Sequence, residues 1–152
     1  MKSGKTIISQ ADADIMEKMY QSVMSNKYAQ ALLSGEKEKS YYWTDDFTKI
    51  RCKCRPDCRT DFNNLSVIVD LKSCLHADTE TFMREALKYG YDLQASMYKT
   101  GVETYEQKPH KFVFIAVEKQ APFAVNVLEA DEIFIRKGYD DFRNYLGMLK
   151  YC

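Results

Sequence analysis

Leu65-Ser66-Val67-Ile68-Val69-Asp70-Leu71-Lys72 is the stretch on which the fold turns. Its aliphatic, largely β-branched run is apolar enough for a strand in the middle of a sheet. Residues two apart share a face of a strand, so Asp70 and Lys72 project together, and Leu71 is expected to point into the core. An apolar strand that ends in two charges on one face departs from simple burial, and such departures are where functional sites are expected.

Thirteen residues upstream, Asp57 closes a shorter strand in Cys54-Arg55-Pro56-Asp57. Two carboxylates converging from neighbouring strands repel unless a cation lies between them, and Mg²⁺ suits oxygen ligands of this kind. Such an ion polarises a phosphoryl oxygen and lowers the pKa of a bound water, with Lys72 orienting that water or neutralising developing charge. The plainer alternative is that Asp57 caps a turn while Asp70 and Lys72 form an exposed pair at a strand end. Lys49, Arg51, Lys53, Arg55 and Arg59 stand against a single acid between positions 49 and 59, a local net of +4. They read either as a track for phosphates or as a solvated strand face.

Working outward, residues 39–44 are aromatic and strand-like, and Ile50, Cys52 and Cys54 alternate with Arg51, Lys53 and Arg55. With residues 65–72 these make an expected three-stranded meander. Ser9-Gln10-Ala11-Asp12 has the form of a capping box, and Ile15, Met19, Tyr20 and Val23 then recur at helical spacing up to a stop at Gly35. Downstream, one helix starts near Asp78 and breaks at Gly90, and the next carries Leu93, Met97 and Tyr98 towards Tyr105. Gln94 and Tyr98 are four apart, hence on one face of that helix. A glutamine amide beside a metal site can hold water or a phosphate, although alone Gln94 reads as solvated and Tyr98 as core. Strands return at 112–117 and 123–128, and a closing helix aligns Ile135, Tyr139, Phe142, Leu146 and Leu149. The expected class is α/β, a mixed sheet of about five strands flanked by helices.

At 152 residues and 17.7 kDa the chain reads as a single domain, 1–152, able to fold without disulfides or a structural metal. Twenty-two basic and 22 acidic residues give no net charge, which argues against a purely electrostatic coat for nucleic acid or membrane. No apolar run approaches a membrane span, and Met1-Lys2-Ser3-Gly4-Lys5 leads into no signal-peptide core. A cytoplasmic location with no membrane partner is expected. Five cysteines, three of them within seven residues, point to reduced thiols. Cys52, Cys54, Cys58, Cys74 and His76 lack the paired C-x-x-C knuckles of a zinc or iron–sulfur site, and Cys52 and Cys54 fall on the apolar side of their strand. His76 and His110 have no serine or cysteine partner at recognisable spacing. No glycine-rich loop is present to cradle phosphates.

Four segments carry a resemblance: Cys-Arg-Pro-Asp at 54–57, Val-Asp-Leu-Lys-Ser at 69–73, Lys-Tyr-Gly-Tyr-Asp-Leu-Gln-Ala-Ser-Met-Tyr at 88–98, and Val-Glu-Lys-Gln-Ala-Pro-Phe at 117–123. In that order they resemble the exonuclease VIII (RecE-like) family of phage and prophage exonucleases, within the PD-(D/E)xK nuclease superfamily. The resemblance implies a restriction-endonuclease-like core and a metal-dependent exodeoxyribonuclease. Such an enzyme digests linear double-stranded DNA from 5′ ends, with Mg²⁺ or Mn²⁺ as cofactor. It implies Asp57 and Asp70 as metal-binding acids, Lys72 as the catalytic lysine, the Leu71 carbonyl as a further ligand, and Gln94 and Tyr98 as the Gln-x-x-x-Tyr element. Glu38 resembles a family glutamate leading towards the metals. Gln94 is thereby grouped with the catalytic residues, and Arg51, Lys53, Arg55 and Tyr98 with DNA binding. DNA ends, a single-strand annealing protein and a homo-oligomeric ring are the implied partners.

The sequence also departs from that family. No Gly-Thr-Ala-x-His helix precedes the first strand, Asn26 stands at a family histidine position, and no Trp-Pro-Gly-Tyr tail follows Tyr151-Cys152. A shortened domain lacking an N-terminal family segment is the expectation. Its alternative function is that of a catalytically impaired remnant that binds DNA ends or a recombination partner.

Overall fold

A computed structural model describes residues 8–151; the leading Met1–Lys5 segment and Cys152 lie outside the described residues. Helix α1 (Gln10–Ser25) opens at Ser9, whose side chain accepts from the Asp12 amide, as the capping box predicts. The single long helix expected up to Gly35 is instead two. Asn26 leaves helical geometry and accepts from the amides of Tyr28 and Ala29, starting α2 (Lys27–Leu32). An asparagine that offers its side-chain oxygen to two orphan amides favours a new N-terminus over continuation.

Strand β1 (Glu36–Lys37) is followed by a hairpin of β2 (Tyr41–Thr44) and β3 (Arg51–Cys54). Next comes a strand absent from the sequence reading, β4 (Cys58–Phe62), and then β5 (Leu65–Cys74). Asn63 and Asn64 both have positive φ, the geometry of a two-residue primed turn, and Phe62 pairs with Leu65 across it. Helices α3 (Thr79–Lys88) and α4 (Tyr91–Glu106) cross over to β6 (Lys111–Glu118), which runs parallel to β5. Antiparallel β7 (Val125–Glu129) and α5 (Glu132–Leu149) complete the chain.

The main sheet has the order β1-β4-β5-β6-β7, and β2-β3 forms a separate ribbon. The expected class, a mixed five-stranded sheet flanked by helices, is therefore correct. The expected meander is not, because β4 and not β3 pairs with β5. The ribbon faces α4: Tyr41, Trp43, Cys52 and Cys54 are buried against it, and their neighbours are exposed. A Cβ on Gly101 would lie 2.4 Å from the Trp43 ring, so the helix needs a glycine there for the indole to seat.

Two cores sandwich the sheet. Ile68, Phe112, Phe114 and Ala116 face α3, α4 and α5, while Val67, Val69, Val113 and Ile115 face α1 and α2. Cys52, Cys54, Cys58 and Cys74 are free and buried, behaving as small hydrophobes. Among the described residues no helix is long and apolar enough to cross a membrane.

Candidate active site

Asp70 lies on the α4 face of β5, next along from Ile68, and is 2% exposed. This excludes the exposed strand-end pair as an account of Asp70. Its Oδ1 accepts from Gln94 Nε2 at 3.1 Å, and the Lys72 ammonium donates to Gln94 Oε1 at 3.0 Å. The triangle closes at Lys72 Nζ, 2.5 Å from the buried Asp70 Oδ2 in a close ion pair. Burial pushes the Asp70 carboxyl above its usual range, helped by the nearby Asp57 charge and opposed by Lys72 and Gln94. The ammonium also sits 4.6 Å from the centre of the Tyr91 ring. The sequence reading missed Tyr91, although its position three residues before Gln94 places both on one helix face.

Asp57 comes from the link between β3 and β4. Pairing of β4 with β5 ends at Cys58 and Val69, which leaves the Leu71 amide without a strand partner on that side. Asp57 Oδ2 takes it at 2.7 Å. A strand residue presents its N–H and C=O to the same neighbour, so the Leu71 carbonyl faces the Asp57 side as well. The Leu71 side chain is not in the core, as the sequence led one to expect. It is 40% exposed and borders a groove of about 570 Å³ between α1 and this end of the sheet. Met16, Met19 and Tyr20 of α1 line that groove together with Glu38, Asp57 and Leu71.

Glu38 reaches the site through its backbone. With φ at 50° it donates its amide to the Asp57 carbonyl at 3.1 Å, while its carboxylate pairs loosely with Arg55 at 3.5 Å. Tyr98 is half-buried in the core beside the ribbon, and its carbonyl lies 3.9 Å from Cys54 Sγ. Arg51, Lys53 and Arg55 are exposed, with Lys53 5.6 Å from the Tyr42 ring centre. Arg59 does not belong with them. It is half-buried against Glu106, which also receives the Tyr41 hydroxyl and contacts His110, so Arg59 ties ribbon, helix and sheet together. Asn26 is engaged in its helix cap.

The donors available to a cation are Asp70 Oδ2, the Asp57 carboxylate and the Leu71 carbonyl, all oxygens and thus suited to a hard divalent ion. The charge of Asp57 acts unfavourably on the ionised Asp70 carboxylate, and a divalent cation held between the two would relieve that repulsion. Among the described residues no group of three or more His, Cys, Asp or Glu side chains is gathered closely enough to hold one, so the set relies on the backbone carbonyl. A larger hollow, about 1060 Å³, opens beside Leu65 and Ser66 at the opposite end of β5 and contains none of these groups.

Residues 1–152 match the family described as "PDDEXK-like domain of unknown function (DUF3799)". The solved structure described as "Putative exonuclease" from Eubacterium rectale is similar over 98% of this chain, with a TM-score of 0.73 and 17% identity. The chain spans 57% of that protein's length. A second solved structure, that of SSO0001, is 15% identical with a TM-score of 0.48, covering 88% of this chain and 59% of that one. No curated protein matches the sequence. The family match and the first likeness agree with the sheet order in assigning a restriction-endonuclease-like fold.

Proposed function

Because the chain belongs to the PDDEXK-like family DUF3799, we propose that it is a metal-dependent nuclease that hydrolyses phosphodiester bonds at the ends of linear double-stranded DNA. The observation that carries the reading is the closed triangle of Asp70, Lys72 and Gln94 around a buried carboxylate. The name of the similar structure from Eubacterium rectale supports it, as does the resemblance to exonuclease VIII-like enzymes. That resemblance also favours 5′ to 3′ digestion with Mg²⁺.

Asp57, Asp70 and the Leu71 carbonyl would hold the ion. When bound, it supplies Lewis-acid polarisation of a phosphoryl oxygen and a more acidic water. Gln94 fixes Lys72 by accepting from its ammonium and fixes Asp70 by donating to Oδ1, so neither side chain has to reorganise during the reaction. Lys72 offers its remaining hydrogens to the attacking water or to charge developing on the phosphoryl oxygens. The Tyr91 ring packs against one side of the ammonium and helps to hold it in place. Arg51, Lys53 and Arg55 supply sequence-independent attraction for the phosphate backbone.

End-labelled linear duplex and covalently closed circular duplex, each incubated with the protein and Mg²⁺, test this reading. Release of label from the linear form with the circle left intact is the expected result. Cutting of the circle would replace an exonuclease by an endonuclease, and no Mg²⁺-dependent cutting of either would remove the hydrolytic reading. A second reading, binding of DNA ends without cleavage, is favoured by Glu38, whose carboxylate is paired with Arg55. It predicts end binding that persists in chelator.

A further inference from the structure

The β2-β3 ribbon has two faces of opposite character. Tyr41, Trp43, Cys52 and Cys54 are buried, while Tyr42, Thr44, Arg51 and Lys53 point outward, and Arg55 continues that row towards Asp57. Register fixes the pattern, with Tyr42 opposite Lys53 and Thr44 opposite Arg51. An isolated two-stranded ribbon is marginal in water. This one is held along its inner face by the Trp43 seat on Gly101 and at its tip by the ion pair between Asp45 and Arg143 of α5. It is therefore a fixed arm whose outer face contributes nothing to the core.

Tyr42 is 65% exposed. Its ring has Lys53 Nζ at 5.6 Å, and among the described residues neither Lys53 nor Arg51 has a carboxylate partner. Lys111 and Lys137, by contrast, pair with Glu129 and Asp141. Alternate residues of an antiparallel strand are about 6.8 Å apart, so Arg51, Lys53 and Arg55 form a straight row of cations that ends two residues from Asp57. A row of cations beside an exposed aromatic ring suits a single nucleic-acid strand, whose phosphates follow the charge while an unstacked base lies on the ring. A duplex keeps its bases stacked inside and offers the ring nothing.

We infer that the outer face of the β2-β3 ribbon is a binding platform for single-stranded DNA, in which Tyr42 stacks a base and Arg51, Lys53 and Arg55 follow the backbone to the site. This rests on the nuclease reading for its ligand and extends it, since digestion of one strand of a duplex exposes the other as an unpaired strand.

The test is fluorescence anisotropy in chelator, with a labelled thymidine oligonucleotide and an abasic strand of equal length, so that no cleavage enters. Tyr42→Ala is expected to weaken the thymidine strand roughly 10-fold and to leave the abasic strand nearly unchanged, with Tyr42→Trp restoring binding. Lys53→Ala is expected to weaken both strands alike and to lower the salt dependence, as a phosphate contact does. The platform is overturned if Tyr42→Ala leaves thymidine binding intact or weakens both strands equally, or if the protein binds neither. A protein that stacks the thymidine strand yet shows no Mg²⁺-dependent cutting would sink the nuclease reading and leave the platform standing.

Discussion

Leu71 donates its amide to Asp57 Oδ2 at 2.7 Å across 14 residues of sequence, at the point where β4 leaves β5. One carboxylate is thus anchored to the strand that carries the other. The same oxygen that fills an empty place in the sheet ladder keeps Asp57 beside Asp70.

Asn at position 57 still accepts that amide, and Ala does not. Asp57→Asn is therefore expected to melt close to the parent while Asp57→Ala loses about 1–2 kcal/mol. Both should lose Mg²⁺-dependent cleavage by 100-fold or more, since on the proposed reading each removes a charged ligand. Thermal melts beside cleavage rates check this, and equal melting of the two variants would deny the structural role of the bond.

Gln94 touches both Asp70 and Lys72, with no ligand role of its own in this account. Gln94→Leu is expected to cost about 10–100-fold in rate, as the loss of a partner that orients metal-site groups does. Single-turnover rates with saturating DNA separate this from weaker binding; an unchanged rate would place Gln94 outside the machinery.

The ribbon depends on Gly101. Gly101→Ala puts a methyl into the Trp43 ring, and the expected loss is about 1–3 kcal/mol despite the better helix propensity of alanine. Denaturant unfolding, with Trp43 fluorescence as the probe, should show a lower midpoint and a more exposed indole.

Acid should loosen the same ribbon. Burial alone would raise the carboxyls of Asp45 and Glu106. The Arg143 and Thr48 contacts of Asp45, and the Arg59 and Tyr41 contacts of Glu106, overcome this and hold both below their usual range. Depressed folded values mean that the unfolded chain takes up protons first as pH falls. Stability contributed by these groups is therefore complete above the ordinary carboxylate range, about pH 4, and is lost below it. Melting temperatures measured from pH 7 downward should fall more gently for Asp45→Asn than for the parent, from a lower starting point. Parallel acid limbs would show that Asp45 does not contribute in this way.

Much of this was legible in the residues, and the reasons for the rest are physical. The aliphatic run of β5 and the charges at its end identify the strand at the centre of the sheet, and helical spacing places Gln94 on the helix that returns over it. Strand β4 hides because Arg59, Thr60 and Asp61 look like a loop. Arg59 is satisfied there by Glu106, from a distant helix that no local pattern reveals. With β4 unseen, β3 takes its place and the ribbon is drawn into the sheet. Asn63-Asn64 is the one local signal that would have corrected it. Leu71 is exposed because a groove separates it from α1, a matter of helix placement and not of strand alternation. Asn26 ends one helix by capping another, a preference the apolar periodicity on either side conceals.

The central claim is that Lys72, held between Asp70 and Gln94, serves metal-assisted hydrolysis at DNA ends. The most direct measurement is digestion of end-labelled linear duplex DNA with Mg²⁺ by the parent and by Lys72→Ala, both confirmed to be folded by circular dichroism. The account predicts release of the 5′ label by the parent and a loss of at least 100-fold in the variant. Equal digestion by the two would contradict it.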